Sequence, residues 1–249
     1  MPTFGCLDLD RVSARLAVMP DLDTDAWALP RAEILQLTWE TTLATDALLP
    51  RAMHPAIPRY ATLWVMRCPE SPVGPFALGQ VRLMGRASAH PRGYVLSAVA
   101  STPEAVAALR ERWGLPATLG AVSLRRYHDR VVATATSGGR PVLEVALVDP
   151  EPISGGDVQY MASVTLARAP LDGIVAPRLV QVDPDYTFHK AERGRPVAVR
   201  FDGADWAAPG LVLTHPIAGS LTTCDTELPR IRYVMDPEMP VYRGTRRIR

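Results

Sequence analysis

The chain has 249 residues, enough for one large domain or two small ones with a sizeable core. Apolar residues make up 47% and charged ones 21%, and a formal charge of +1 supplies no global field to draw in nucleic acid or an anionic membrane. No apolar run approaches the roughly 18 residues of a membrane-spanning helix and no charged-then-apolar leader is visible, so a cytoplasmic protein is expected.

Residues 1–30 carry charge and proline without clear periodicity and read as a lead-in segment to a single domain over residues 31–249. Within them Asp21, Asp23 and Asp25 alternate as in a calcium loop. Ala26 stands where that loop needs glycine and Ala32 where it needs a bidentate glutamate, so no metal is expected there. Strand-like runs bounded by proline and glycine follow at 32–43, 60–68, 76–86 and 94–101. The best helix is 102–114. Thr102 suits its N-cap, Pro103 its first turn, and Val106, Leu109 and Trp113 share a face. Strands resume at 121–127 and across 130–149, where Gly138-Gly139 signals a hairpin, and continue at 159–169. The strand-and-turn spacing runs on through 177–203, and 229–236 reads as a last strand. No linker or repeat divides the chain, so the expected class is α+β, mainly antiparallel β with a few helices.

Common catalytic signatures are missing. Cys6, Cys68 and Cys224 are far apart, and His54, His90, His128, His189 and His215 show no ligand spacing. There is no nucleophile elbow, phosphate loop or dinucleotide fingerprint, so no cofactor is expected. The basic C-terminus "YRGTRRIR" reads as a solvated tail. Of the 27 basic residues only Lys190 is lysine, which leaves an amine mechanism one side chain besides the N-terminus.

With the helix placed before "GLPATLG", the chain from about Arg31 onward resembles the acetoacetate decarboxylase family. The features carrying the resemblance come in order: "ATDALLP" before "HPAIPRY", the Gly-Pro-aromatic strand "VGPFALGQVRL", and Arg110-Glu111 six residues before Pro116. The Pro-x-x-Leu-Gly frame of Pro116, Leu119 and Gly120 follows, then "RVVATAT", "QYMASV" and "LPRIRYVMD". The resemblance implies a cone-shaped, barrel-like antiparallel sheet with flanking helices, assembled as a homo-oligomer. It also implies a Schiff-base lysine and a second, pKa-lowering lysine directly after Pro116. Those positions hold Ala117 and Thr118. The family's carboxylates fall at Leu78 and near Leu63 or Trp64.

An amine-and-carboxylate site has thus become apolar. The expectation is an enzyme of bacterial specialised metabolism acting without an imine. It would cyclise or dehydrate a hydrophobic, polyketide-like or terpenoid-like molecule in a barrel cavity lined by Phe76, Leu78, Arg110, Leu115 and Ala117. Arg31, Thr118 and Glu111 are the expected catalytic groups, with His128 or His215 as a possible proton carrier. Two other readings stand beside it: imine-free decarboxylation of a β-keto acid, with Arg31 holding the enolate, and non-catalytic binding of a small molecule.

Overall fold

The computed structural model describes residues 4–87 and 90–248. It contains, in chain order, α1 (Leu9–Val12), β1 (Ala17–Val18), β2 (Trp27–Glu40), β3 (His54–Pro55), β4 (Tyr60–Cys68), β5 (Phe76–Ala87) and β6 (His90–Ala100). There follow α2 (Pro103–Trp113), β7 (Ala117–Arg126), β8 (Arg130–Ser137), β9 (Arg140–Ile153), β10 (Ser163–Leu171) and β11 (Ile174–Val182). The chain ends with β12 (Asp185–Phe201), β13 (Pro216–Leu228), β14 (Tyr233–Met235), α3 (Val241–Gly244) and β15 (Thr245–Arg247). No helix among the described residues is long and apolar enough to cross a membrane.

Local chemistry explains the sharpest boundaries. At α2 the Thr102 hydroxyl accepts from the Ala105 N–H, Pro103 occupies the first turn, and Gly114 ends the helix at φ 63°. A side chain at Gly114 would also meet Ala167 at 2.5 Å, so the turn needs glycine twice over. Gly138 and Gly139, both at positive φ, join β8 to β9.

The strands form one mainly antiparallel sheet, most of which closes on itself. Pairing runs β6–β7–β8–β9–β12–β13–β2–β4–β5 and returns to β6, so nine strands make a ring with no free edge. Only the β6–β7 contact in that ring is parallel, at Ala98 to Ala100 against Ala117 to Leu119. The other end of β6 pairs with β10, from which β11, β14 and β15 extend as an arm. Residues before β2 also join this packing. Ala17 pairs with Ala167 of β10, and Leu7, Val12, Leu16 and Met19 are buried.

Alternation along the ring strands divides the interior in two. Leu37, Leu63, Val81, Val131, Val145 and Leu147 come from strands on opposite sides of the ring and form one cluster that fills its lumen. The filling is tight enough to dictate β13, where a Cβ on Gly219 would lie 2.5 Å from Leu147 and 2.8 Å from Leu37. A strand was not expected at 216–228, because small residues and threonines there conceal the alternation. The crowded lumen supplies the reason.

The lumen rows end in charges at one mouth. Arg126 follows Val122 and Leu124, Glu33 precedes Leu35, and Arg67 follows Leu63 and Val65. Glu192 lies opposite lumen-facing Leu221. Its carboxylate is 3% exposed and receives both Arg126 amino groups at 2.5 and 2.7 Å, with Lys190 at 3.4 Å. Arg67 pairs with Glu33 at 2.7 Å.

The other face of β2, β4 and β5 carries Ile34, Trp64, Met66 and Leu78. They pack against Leu109 and Trp113 of α2 and against Val180 of β11. The barrel cavity expected from the sequence is therefore placed differently. Among the described residues, apolar side chains crowd the lumen, and the cavity beside Leu78 and Leu115 lies outside the ring wall, beneath α2 and the β10–β11 arm.

Candidate active site

That space is a cavity of about 30 Å³, lined by Trp64 and Met66 of β4, Leu78, Gln80 and Arg82 of β5, and Leu109 of α2. Leu115, Ser163, Val182, Pro184, Tyr186, Thr226 and Leu228 complete it. It holds on the order of two waters.

β5 delivers its polar groups. Both faces of this strand are buried, so Gly79, Val81 and Leu83 face the lumen while Leu78, Gln80 and Arg82 face the cavity. Arg82 is 5% exposed. Its Nε–H donates to Gln80 Oε1 at 2.7 Å, and its guanidinium carbon lies 4.3 Å from the centre of the Trp64 ring. It makes no ion pair among the described residues. Burial pushes its pKa down to about 10, a shift opposed by the nearby Tyr186 and Tyr160 phenols. Arg82 therefore remains a cation at neutral pH. Tyr186 packs edge-on against Tyr160 at 5.1 Å and parallel to Phe188, and burial raises its phenol to about 12.

Two further groups are orphaned at the same place. Trp64 Nε1 and Thr226 Oγ1 are buried without a hydrogen-bond partner, and both residues line the cavity. A larger open cleft of about 230 Å³ lies beside Gln36, Gln159 and Ser220, but no buried orphan atom among the described residues belongs to its lining.

The residues expected from the sequence are dispersed relative to this centre. Leu78 and Leu115 line the cavity, while Phe76 and Ala117 are buried in the cluster that walls it. Arg110 lies behind the motif loop, donating to the carbonyls of Ala117 at 3.2 Å and Leu16 at 3.4 Å. Thr118 is exposed and its hydroxyl donates to Ala98 O, and Glu111 is exposed on α2. Arg31 is exposed at φ 54°, with its backbone N–H on Asp225 Oδ1 at 2.8 Å. His128 and His215 are exposed as well. Lys190 sits at the lumen mouth with Glu192, not at the cavity.

Trp64, one of the two positions where the resemblance places a family carboxylate, lines the cavity; the lining groups the sequence reading did not name are Gln80, Arg82, Tyr186 and Thr226. One signal was present in "GQVRL". Gln80 and Arg82 occupy alternate positions of a run too apolar to be half-exposed, so they had to be buried together.

Comparison with known proteins agrees with this architecture. The family model described as acetoacetate decarboxylase matches residues 18–237. No curated protein sequence matches the chain. Among solved structures, acetoacetate decarboxylase from Legionella pneumophila superposes with a TM-score of 0.74 at 20% identity, covering 84% of this chain and 86% of that one. A second acetoacetate decarboxylase structure gives 0.73 at 19% identity, covering 84% and 88%. The enduracididine biosynthesis enzyme MppR, complexed with pyruvate, gives 0.66 at 16% identity over 83% and 88%.

Proposed function

The chain belongs to the acetoacetate decarboxylase family, and from that premise we propose that it is an enzyme that decarboxylates a small β-keto acid without forming an imine. One observation carries this reading. The side chain after Pro116 that faces the cavity cluster is Ala117, and the cation that lines the cavity is the guanidinium of Arg82. A guanidinium forms no Schiff base, but it can hold an oxygen that becomes negative.

The chemistry then runs through the substrate's own ketone. The electron pair of the bond to the carboxylate moves into a new C=C bond as CO₂ leaves. The ketone oxygen becomes an enolate oxygen, held by Arg82 N–H groups, and the carbon later takes a proton from water. Apolar side chains such as Leu78, Leu109 and Leu115 keep bulk solvent away, which strengthens the interaction. Decarboxylation needs no general base. That suits a cavity whose titratable groups, Arg82 and Tyr186, both stay protonated near neutrality.

Cyclisation or dehydration of a hydrophobic polyketide-like or terpenoid-like intermediate is the second reading. The apolar wall and the likeness to MppR favour it, and the latter supports a place in specialised metabolism. Both readings ask the cavity to open beyond about 30 Å³, since a whole β-keto acid already exceeds the two or so waters that this volume holds; the larger intermediate asks for more opening, and its dehydration also asks for a base.

The test is CO₂ release from a panel of β-keto acids of increasing length, measured against the spontaneous rate, with borohydride added in parallel. Faster release without borohydride adducts is expected for the shorter acids. A reduced adduct on Lys190 would overturn the imine-free reading. Saturable binding with no product would leave a non-catalytic binder.

A further inference from the structure

We propose that Trp64 Nε1–H and the Thr226 hydroxyl complete, with Arg82, a three-donor oxyanion hole that binds a compact carboxylate or the enolate isosteric with it. The assignment of a catalytic role to this hole rests on the decarboxylase reading; the binding itself does not.

An indole N–H can only donate, and a guanidinium has five N–H groups and no lone pair to offer. Arg82 uses its Nε–H on Gln80, and no hydrogen bond from its two terminal amino groups is found among the described residues. Trp64 and Thr226 are 3% and 5% exposed, and their polar atoms are unpartnered. Gln80 Oε1 is already engaged by Arg82 at 2.7 Å, and the Ser163 and Tyr186 hydroxyls on the lining can accept but carry no negative charge. The cavity therefore holds a positive charge without an opposing anion, and two further unmatched donors belong to residues of its wall.

Leaving such groups unmatched is costly in a folded protein. Water can satisfy the donors, but it does not neutralise the cation. A carboxylate head does both, and about 30 Å³ admits a group of that size with little room for more. Gln80 and the Trp64 ring act as positioning groups. One fixes the Nε edge of the guanidinium and the other covers its face, so the remaining edge is the part free to meet the ligand.

The experiment follows indole N–H resonances of the ¹⁵N-labelled full chain by NMR while acetate, formate, acetamide or sodium chloride is added at matched ionic strength. Trp64→Phe identifies the Trp64 signal. Acetate and formate should shift that signal and raise the melting temperature, whereas acetamide, the neutral isostere, and chloride should do neither. Arg82→Met should lower acetate affinity by at least about tenfold and Thr226→Val by about threefold, in line with lost charge-assisted hydrogen bonds. Equal effects of acetate and acetamide, an equal effect of chloride, or full acetate binding by Arg82→Met would overturn the proposal. The wild-type titration decides the matter even if a variant fails to fold. Acetate binding without any β-keto acid turnover would keep the hole and remove the decarboxylase reading. Turnover with a silent Trp64 signal would do the reverse.

Discussion

Glu192 and Arg82 are both buried charges on the same ring wall, and they are treated in opposite ways. Glu192, at the lumen mouth, is met by two charges of opposite sign, and its two oxygens are fully engaged. Arg82, on the outer face, meets an amide, an indole ring and phenols, but no carboxylate. The first arrangement is what a stable fold requires of a buried ion. The second leaves a cost that a ligand can remove. Stability and the proposed binding thus draw on opposite faces of one sheet, and the sign of a mutation's effect should tell them apart.

Replacing Arg82 by methionine is the sharpest way to break the comparison. Turnover by the proposed mechanism should fall about 100-fold or more, the scale seen when an oxyanion donor is removed. Stability should rise by about 1–3 kcal/mol, because an unpaired buried cation gives way to an apolar chain of similar length. Urea unfolding together with initial rates reads both, and a destabilised Arg82→Met would show that the cation has a partner after all.

Glu192→Gln should act in the other direction. Losing the charge from the Arg126–Glu192–Lys190 group should cost about 2 kcal/mol, on the scale of hydrogen bonds to charged groups, with acetate binding unchanged. The pH dependence sharpens this contrast. Burial alone would raise the Glu192 carboxyl; the hydrogen bonds from Arg126 and the charges of Arg126 and Lys190 outweigh it and hold its pKa below the usual glutamate range. A carboxyl depressed in the folded state contributes stability above its unfolded pKa and loses it as pH falls through the folded one. The wild-type chain should therefore lose stability on acidification below the normal glutamate range, and Glu192→Gln should lose less over the same interval. Parallel curves would sink the assignment.

The smallest effect belongs to Thr226→Val, which removes an unpartnered hydroxyl without much change of shape. Stability should stay level or rise by up to about 1 kcal/mol. A loss above that size would mean that the hydroxyl has a partner in solution.

Much of the architecture was legible in the residues. Thr102, Pro103 and Gly114 announce α2 because capping chemistry is local, and Gly138-Gly139 announces its hairpin for the same reason. The order of motifs pointed to the family. β13 stayed hidden because its alternation depends on side chains from β2 and β9 that crowd Gly219. The site was legible only in part. Leu78 and Leu115 reached the cavity, whereas Arg31, Thr118 and Glu111 face solvent.

The sequence by itself determined the class, the helix caps and the family, and it put Ala117 and Thr118 directly after Pro116. Those properties depend on residue type and on neighbours a few positions away. The tertiary structure alone decided that apolar side chains crowd the lumen and that the cavity beside Arg82 lies outside the wall. It also decided that Glu192 is matched while Arg82 is not. A charge is paired or orphaned according to what distant strands bring within a few ångströms, and ring closure, which no local pattern encodes, settles that.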